Sequence, residues 1–484
     1  MTSVLDGLEP APLWERFSEL TRIARPPKHE ELAAEHVRAW AESRGYEASG
    51  DAEGNVVVRV PASRGREDAG IVVLQSHLDM VCERDPDSPF DPREGRIDVQ
   101  VDGDWVLADG TTLGADNGIG VAAAMAVADD PGVAHGPLEL LFTVSEEQGL
   151  DGAKALDPSL VSGRVLLNLD GTSDESLTVG CAGSDHTFVR LPLEPAAVDG
   201  EGVVLEVTLS GARGGHSGGD IAVGRANAIT VLGRVLAAAC EAAPFRLARF
   251  EGGVSRNAIP RAASAIVVVA DEDEGAFRAA VQAELAAVVR QYAGTDDGLA
   301  VELAAAETRV APDVETTRRA LDLVNALPTG VVAMTPSLPG VVATSISLTV
   351  AETENDVLVL ASMARSSNAS ALDELLQRLA SIARLGGATI EARRSYPPWE
   401  PQLDSHTLAT ATATFERLFG SPPGLAVVHG GLECAVLGQK LAGVEMVSIG
   451  PEIVGPHAPG EKVRITSVQR FYRLLGALLT DLSR

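Results

Sequence analysis

Five polar segments of this sequence carry residues that could bind metal ions or transfer protons. Ser76-His77-Leu78-Asp79 follows the apolar run IVVLQ, and residues two apart in an extended segment face the same side, so His77 and Asp79 point together. Asp116 stands in the turn TTLGADNGIG, directly before an alanine-rich segment. Each has a simpler explanation, because polar residues also end ordinary strands and aspartate also caps helices.

The other three segments have the same character. Glu146 and Glu147 follow the apolar run LELLFTVS, Asp170 ends RVLLNLD, and His457 lies in the proline- and glycine-rich loop GPEIVGPHAPGEKV. An exposed turn would also explain two adjacent acids. The chain has only nine histidines, however, and two of them occur with several carboxylates in such segments. Their combined occurrence predicts one functional site.

Imidazole and carboxylate groups without thiolates are typical ligands of a hydrolytic Zn²⁺ site or a related divalent site. Two ions about 3.5–4 Å apart need a bridging carboxylate and a spare carboxylate that can accept a proton. We therefore predict two divalent ions, most plausibly Zn²⁺, with Mn²⁺ or Co²⁺ as alternatives. The predicted ligands are His77, Asp116, Glu147, Asp170 and His457. Asp79 and Glu146 then remain to orient a ligand and to act as general base.

The segments around these residues predict an α/β unit. Short apolar runs, rich in β-branched residues, read as strands of a buried sheet: GNVVVRV, GIVVLQSHLDMV, PLELLFTVSEEQG and RVLLNLDG. The alanine-rich segment 118–129 predicts a crossover helix, and two helices are predicted over 13–23 and 30–44. Open α/β sheets place their sites at the carboxyl ends of the strands, where the polar residues occur.

The pattern changes after residue 185. Residues 203–293 and 299–386 each read as βαββα, and α/β character resumes beyond the prolines of SYPPWEPQLDS. We predict a discontinuous α/β catalytic domain with a mostly parallel central sheet, formed by residues 1–186 and 395–484. An α+β lid domain at 187–394, built from the two βαββα halves, would interrupt it.

Composition narrows the function classes. The 484 residues are 45% hydrophobic, enough for more than one core, and 68 acids against 39 bases give a net charge of −29. Nucleic acid is not an expected partner, because phosphate binding needs clustered Lys and Arg. Four widely separated cysteines suggest a reducing cytoplasm. A secretion signal and a membrane-spanning segment are not expected, so we predict a cytoplasmic protein without a membrane partner.

Ten motifs, in this order over nearly the whole chain, carry a family resemblance: SHLDMV, TTLGADNGIG, SEEQGLDGA, LNLDG, CAG, GARGGHSGGDI, GRANAI, GGVSRNAIPR, HGGLECAVL and SIGPEIVGPHAPGE. The sequence resembles the aminoacyl-histidine dipeptidases, also called peptidase D. This carnosinase-like group belongs to the metallopeptidase family that includes peptidase T, peptidase V and glutamate carboxypeptidase. Ten motifs in order make the resemblance highly specific.

The resemblance implies a role for each residue of the site. One ion would be held by His77, Asp116 and Asp170, and the other by Asp116, Glu147 and His457. Asp116 would thus bridge both ions. The general base falls on Glu146, and Asp79 falls on the acid that braces His77. The resemblance also implies a cis peptide bond between Asp116 and Asn117. All seven positions are intact, which indicates an active enzyme.

The resemblance also suggests substrate contacts. His216 in GARGGHSGGDI would contact the scissile carbonyl, Asn257 would offer an amide in the same region, and Arg365 in SMARSSN could clamp a terminal carboxylate. An exposed loop histidine, a turn asparagine and a surface ion pair are the alternatives. Glu433 in HGGLECAVL would meet the substrate's amino group or belong to a capping box. The roles of His429 and Glu433 stay open.

The predicted function is hydrolysis of short peptides, chiefly dipeptides such as Xaa-His, by metal-activated water with a glutamate base. An N-acyl amino acid deacylase or a carboxypeptidase on the same scaffold is the alternative, and a noncatalytic metal-binding protein is a third. Relatives with one βαββα lid commonly dimerise, and the partner's lid then supplies a histidine. A second half within this chain would make the active site complete in a monomer, although a homodimer would remain compatible.

Overall fold

The computed structural model describes residues 3–198 and 202–484. These residues form two compact units. Unit 1 comprises the two ends of the chain, Met1–Cys181 and Trp399–Arg484, and unit 2 comprises Ala182–Pro398. The domain boundaries predicted from the sequence, after residues 186 and 394, stay predictions.

The helices and strands follow one another in three chain segments. The first segment of unit 1 contains α1 (Ala11–Leu20), α2 (Glu31–Arg44), β1 (Glu47–Gly50), β2 (Val56–Val60), β3 (Val72–His77), β4 (Val99–Asp102), β5 (Trp105–Ala108), α3 (Ala115–Asp129), β6 (Leu138–Thr143), α4 (Asp151–Ala155), β7 (Val165–Asn168) and β8 (Ser176–Cys181). Unit 2 contains β9 (Gly183–Pro192), β10 (Ala196–Ala197), β11 (Val203–Ser210), β12 (Gly215–His216), α5 (Ala228–Ala242), β13 (Phe245–Gly252), β14 (Ala258–Ile259), β15 (Ala263–Val269), α6 (Glu274–Gln291), β16 (Ala300–Ala305), β17 (Val310–Ala311), α7 (Val314–Ala326), β18 (Gly330–Met334), β19 (Val342–Glu354), β20 (Val357–Ser366), α8 (Ala369–Leu385) and β21 (Thr389–Tyr396). The second segment of unit 1 contains α9 (His406–Phe419), β22 (Gly424–Val428), α10 (Glu433–Lys440), β23 (Glu445–Ser448), β24 (Ile453–Val454), β25 (Lys462–Arg464) and α11 (Ile465–Leu482).

Unit 1 is built on an eight-stranded sheet in the order β1-β2-β6-β3-β7-β23-β8-β22. Its central strands β6, β3, β7 and β23 run parallel to their neighbours in this group. β3 and β6 are buried at every position, which explains why their apolar residues do not alternate strictly with polar ones. The predicted α/β architecture with a mostly parallel central sheet is confirmed.

Helix α3 packs into the core of unit 1 on all sides. Its residues from 117 to 128 are buried, and most are alanine, glycine or valine. Small side chains allow the helix backbone to lie close to its neighbours, among them α1 and β3. The helix therefore fixes the position of its own first turn, which contains Asp116.

Unit 2 has a nine-stranded antiparallel sheet in the order β16-β11-β15-β13-β19-β20-β9-β21, with β18 paired to β19. Helices α5 to α8 contribute to its apolar core. The strand order is symmetric about the junction between β13 and β19. The group β16-β11-β15-β13 on one side therefore corresponds to β21-β9-β20-β19 on the other.

This symmetry differs from two βαββα halves that follow one another along the chain. Strand β16 pairs with β11 over 205–210 and 300–305, so it closes the first group and does not open the second. The second group instead uses β9, which precedes the whole first group in sequence and pairs with β20. One group is therefore nested inside the other. The sequence pattern missed this because a strand's hydrophobic alternation records burial and not the identity of its neighbour.

Each unit has its own buried apolar cluster. Within residues 3–198 and 202–484, no helix combines the length and apolar character needed to cross a membrane.

Candidate metal centre

The carboxyl ends of β3, β6 and β7 supply polar residues to one edge of the unit 1 sheet. β3 ends at His77, whose side chain is buried. Its Nε2 atom lies 3.2 Å from Asp116 Oδ1 and 3.6 Å from Asp170 Oδ1. β3 and β7 are parallel, so Asp170, which follows β7, lies at the same edge of the sheet as His77. Asp116, at the start of α3, reaches the same point.

His457 approaches the same cluster from the loop between β24 and β25. Its Nε2 atom lies 3.3 Å from Asp116 Oδ2 and 3.1 Å from Glu147 Oε1. Asp116 therefore lies between two imidazoles and directs one carboxylate oxygen to each. This is the arrangement that a carboxylate bridging two cations requires.

Asp79 contacts two other parts of the cluster, the His77 ring and the turn that carries the glutamates. Its two carboxylate oxygens accept hydrogen bonds from the backbone N–H groups of Glu146 and Glu147, each at 3.0 Å. Asp79 Oδ1 also lies 3.5 Å from His77 Nδ1. Asp79 thus holds the imidazole ring, through its backbone carbonyl 3.1 Å from His77 Nδ1, and its carboxylate holds the turn that carries the two glutamates.

The turn into α3 has an irregular backbone at Asp116. Asp116 has φ −81° and ψ 111°, which is extended rather than helical, and its peptide bond to Asn117 is cis, as the family resemblance implies. The Asn117 side chain donates a hydrogen bond to the carbonyl of Leu169 at 2.8 Å. The helix start is thereby tied to the segment that delivers Asp170.

The side chains bias one another's protonation. Burial alone would raise the pKa of Asp116, but hydrogen bonds to His457 and His77 hold it below the usual aspartate value. Burial likewise opposes a charged His77, but Asp170 and Asp116 raise its pKa well above the usual histidine value. Hydrogen bonds to Asp116 and Glu147 raise the pKa of His457 to about 11. The cluster therefore favours positive charge beside Asp116.

Two other acids of the cluster, Asp170 and Glu146, have raised pKa values. Burial, and then the charge of Asp116, raise the pKa of Asp170 to about 7. Burial also raises the pKa of Glu146 well above its usual value, and Glu147 and Asp170 add to this increase against the opposing charge of His77. These carboxylates are crowded by negative charge, which bound cations would offset.

The donor atoms fit divalent cations. Three groups have ligand atoms within 4.8 Å of one another: His77, Asp116 and Asp170; His77, Glu146 and Glu147; and Asp116, Glu147 and His457. Imidazole nitrogen and carboxylate oxygen are the ligands that hydrolytic Zn²⁺ and Mn²⁺ sites use. All seven residues predicted for the metal centre lie in this cluster, and their individual roles stay predictions.

Two of the predicted substrate residues lie together in unit 2. β12, which ends at His216, pairs with β14 through His216 and Ala258. The N–H group of Ser217 donates to the carbonyl of Asn257 at 2.8 Å. His216 and Asn257 both line a cavity of about 580 Å³.

Arg365 is not among the residues that line this cavity. It is buried in β20, where its Nη1 atom donates to the Tyr396 hydroxyl at 3.1 Å. The alternative of a surface ion pair does not fit a residue that is only 3% exposed. A role in binding a carboxylate stays a prediction.

Glu433 begins α10 and is buried in unit 1. Its Oε2 atom accepts hydrogen bonds from Gln75 Nε2 at 2.5 Å and Thr143 Oγ1 at 2.6 Å, and Gln75 also accepts one from Asn168. Burial raises the pKa of Glu433 to about 7. No side chain caps α10, so the capping box is not formed. His429 directly follows β22. The functional roles of His429 and Glu433 stay open.

Two buried charged residues near the cluster, Arg25 and Glu461, were not predicted as site residues. Arg25 donates to the backbone carbonyl of Gly114, and Glu461 accepts from the N–H group of the same residue. The only sequence signals were the adjacent motifs, since Arg25 precedes two prolines and Glu461 closes SIGPEIVGPHAPGE. Neither signal distinguishes a buried charge from a surface one.

Residues 73–481 match the family model described as Peptidase family M20/M25/M40. The chain belongs to this peptidase family. The match begins in β3 and ends in α11, so it includes every residue of the cluster and all of unit 2. The prediction of a peptidase, and so of a hydrolase, is confirmed.

Two relatives match over nearly their full length. The chain is 38% identical to the cytosol non-specific dipeptidase of Escherichia coli (strain K12), with 99% of each chain covered. It is also similar to the crystal structure of aminoacylhistidine dipeptidase from Vibrio alginolyticus, at 36% identity and a TM-score of 0.89, with 99% of this chain and 98% of that chain covered. An aminopeptidase structure, PepT from Bacillus cereus, shares the fold at 16% identity and a TM-score of 0.56, with 99% and 100% covered. The predicted resemblance to the aminoacyl-histidine dipeptidase group is confirmed.

Proposed function

We propose that this chain is a di-metal dipeptidase that hydrolyses short peptides, Xaa-His dipeptides among them. The observation that carries the proposal is Asp116, whose two oxygens face His77 and His457 at 3.2 and 3.3 Å. The names of the full-length relatives support the same reaction class. Zn²⁺ is the proposed metal, with Mn²⁺ or Co²⁺ as alternatives, because the ligands are imidazoles and carboxylates without a thiolate.

The proposed ligands divide into two sets that share one residue. His77, Asp116 and Asp170 would hold one ion, and Asp116, Glu147 and His457 would hold the other. When bound, such ions polarise a peptide carbonyl and lower the pKa of a coordinated water. Asp79 would keep the His77 ring and the Glu147 backbone in place, through the contacts that it makes in unit 1.

Glu146 is the proposed general base. It would accept a proton from the attacking water and return it to the departing nitrogen, which leaves as an amine. A general base works best when its pKa lies near the operating pH. Burial raises the pKa of Glu146 well above the usual glutamate value. Its backbone N–H group is held by Asp79, so the carboxylate extends from a fixed turn.

Substrate recognition is proposed for four further residues. His216 would stabilise the developing oxyanion, Asn257 would donate an amide hydrogen bond, and Arg365 would bind the terminal carboxylate. The shared cavity of His216 and Asn257 supports their joint role. Glu433 would recognise the amino group. An enzyme that recognises both termini would select dipeptides over longer peptides.

We further propose a cytoplasmic enzyme whose active site is complete in one chain. Four free, buried cysteines are compatible with a reducing compartment. The high negative charge argues against a nucleic acid partner, because phosphate would be repelled.

The deciding experiment is an assay of purified protein with Zn²⁺ or Mn²⁺ against four substrates: carnosine, Leu-His, Gly-Gly and an N-acetyl amino acid. We expect hydrolysis of the unblocked dipeptides and little release from the N-acetyl compound. Preferred cleavage of the N-acetyl compound would indicate a deacylase. Removal of single C-terminal residues from longer peptides, in a parallel assay, would indicate a carboxypeptidase.

Asp116→Ala is the matched negative control for this assay. Because both proposed ions share Asp116, the variant should lose bound metal and activity together. Retention of two equivalents of metal, measured by elemental analysis, would contradict a bridging role for this residue.

A further inference from the structure

Two buried charged side chains hold the loop that leads into Asp116, and the proposed mechanism uses neither of them. Glu461 accepts four backbone hydrogen bonds from this loop. Arg25 joins the same loop to the segment that follows β3. Both residues are at most 2% exposed.

The Glu461 carboxylate binds four consecutive N–H groups. Oε2 accepts from Leu113 at 2.8 Å and Gly114 at 2.9 Å, and Oε1 accepts from Ala115 at 2.8 Å and Asp116 at 3.2 Å. A carboxylate can accept about four hydrogen bonds, so this one is saturated by a single stretch of backbone. The position of the Asp116 backbone therefore depends directly on Glu461.

Arg25 connects the segment that follows His77 to the loop that precedes Asp116. Its Nη1 atom donates to the carbonyls of Leu78 at 2.9 Å and Asp79 at 3.0 Å, and its Nη2 atom donates to the carbonyl of Gly114 at 2.6 Å. The planar guanidinium has several donors in a fixed geometry, so it sets the distance between the segments after His77 and before Asp116.

Both charged side chains form hydrogen bonds with the backbone of Gly114. Its N–H group donates to Glu461, its carbonyl accepts from Arg25, and its φ of 70° is a conformation that favours glycine. A Cβ atom here would overlap the Arg25 guanidinium and would lie 2.6 Å from Met80 Sδ. The backbone of the loop is thus packed directly against its two charged partners.

Glu461 also links the two sides of the metal centre. It lies four residues after His457, in the loop that approaches Asp116 from the other chain segment of unit 1. One loop therefore presents an imidazole to one oxygen of Asp116 and a carboxylate to the backbone of Asp116. A shift of this loop would move His457 and Asp116, two of the three proposed ligands of the same ion.

We propose that Arg25 and Glu461 are positioning residues that set the geometry of the bridging carboxylate Asp116, so that both metal ions can share it. Neither residue contacts the metals or the substrate in this scheme. The inference rests on the proposed di-metal function, and the experiment below separates the failure of one from the failure of the other.

The test uses full-length protein loaded with Co²⁺, whose visible absorption reports ligand geometry. Glu461→Gln retains the size of the side chain but replaces one acceptor oxygen with an NH₂ group that faces N–H donors. We expect an altered Co²⁺ spectrum, roughly 10–100-fold weaker binding of at least one ion, and a fall in kcat for Leu-His of similar size. KM should change much less than kcat, since the substrate contacts are retained.

Arg25 provides an independent variant pair, which keeps the proposal testable if Glu461→Gln folds poorly. Arg25→Met removes all three hydrogen bonds, whereas Arg25→Lys retains a positive charge with fewer donors. Arg25→Lys should recover part of the metal affinity and part of the Co²⁺ spectrum that Arg25→Met loses. Equal spectra and affinities for both variants and the wild type would overturn the proposal.

Glu139→Gln is the matched control. Glu139 is also a buried glutamate that holds a loop, accepting from the N–H groups of Ser162 at 2.8 Å and Gly163 at 3.0 Å, but it lies near the start of β6, away from the ligands. This variant should lose stability without changing the Co²⁺ spectrum or affinity. Changes as large as those of Glu461→Gln would show a general effect of instability and overturn the proposal. Wild-type protein that binds fewer than two ions would instead overturn the proposed function itself.

Discussion

At the scale of single residues, the candidate site is a set of carboxylates held in different environments. The Asp79 carboxylate accepts two backbone hydrogen bonds and lies beside the His77 ring, whereas Glu146 carries a raised pKa next to Glu147. Adjacent acids of one chemical type can therefore take different roles, because their surroundings stabilise different protonation states.

Glu146→Ala tests the division of roles within this set. We expect metal content and folding close to wild type and a loss of activity of roughly 10²–10⁴-fold, because a general base would be removed while the proposed ligands remain. Elemental analysis and steady-state kinetics on Leu-His measure the two effects. Loss of one equivalent of metal would instead identify Glu146 as a ligand, since its oxygen lies within 4.8 Å of donor atoms of His77 and Glu147.

At the scale of elements, unit 2 shows two related strand groups whose helices begin differently. Asn227 caps α5: its Oδ1 atom accepts from the N–H groups of Ile229 and Thr230, and its Nδ2 atom donates to the carbonyl of Leu348 at 2.7 Å. Asp313 caps α7 through one hydrogen bond from Thr316. The first cap is buried and ties α5 to β19, whereas the second is exposed.

Asn227→Ala should destabilise the protein by about 2–4 kcal/mol, because it removes a helix cap and leaves a buried carbonyl without its donor. Asp313→Ala is the control on α7 and should cost less. Urea denaturation provides the free energies of unfolding. A larger loss from Asp313→Ala would contradict the importance of the Leu348 hydrogen bond.

The pH dependence of these two variants should also differ. Hydrogen bonding to Thr316 holds the pKa of Asp313 below its usual value in the folded protein. Its contribution is therefore present above the unfolded pKa of about 4 and is lost as pH falls through the lowered folded value. The difference in free energy of unfolding between wild type and Asp313→Ala should therefore shrink on acidification. The corresponding difference for Asn227→Ala should persist.

For the whole molecule, the two strand groups of unit 2 predict an active site that is complete within one chain. Unit 2 contains both strand groups in one chain, with β13 and β19 adjacent at their junction. If the second group replaces the partner's lid of single-lid relatives, then His216 acts in the active site of its own chain. Covalent linkage would then replace a dependence on subunit concentration.

A subunit-mixing experiment tests this prediction. Inactive Glu146→Ala protein is mixed with inactive His216→Ala protein under conditions that allow subunit exchange. We expect no recovery of activity, because each chain would lack one residue of its own site. Recovered activity would show that His216 is supplied by another chain.

Sequence patterns were enough to predict the α/β class, the helices and strands that carry the site, and the residues of the cluster. Residues such as His77 and Asp170 could be predicted because each directly follows a strand with a strong apolar pattern, and parallel strands end at a common edge. The family resemblance added the pairing of ligands, which spacing alone left undecided.

Three features could not be predicted before the chain was seen folded: the neighbours of β16, the burial of Glu433 beside Gln75 and Thr143, and the hydrogen bonds of Arg25 and Glu461 to Gly114. The physical reason is the same in each case. Hydrophobic periodicity reports how much of a side chain is buried, but it does not report which strand lies beside it. A buried charge that binds backbone groups has the same sequence appearance as a charge in water, so only packing distinguishes them.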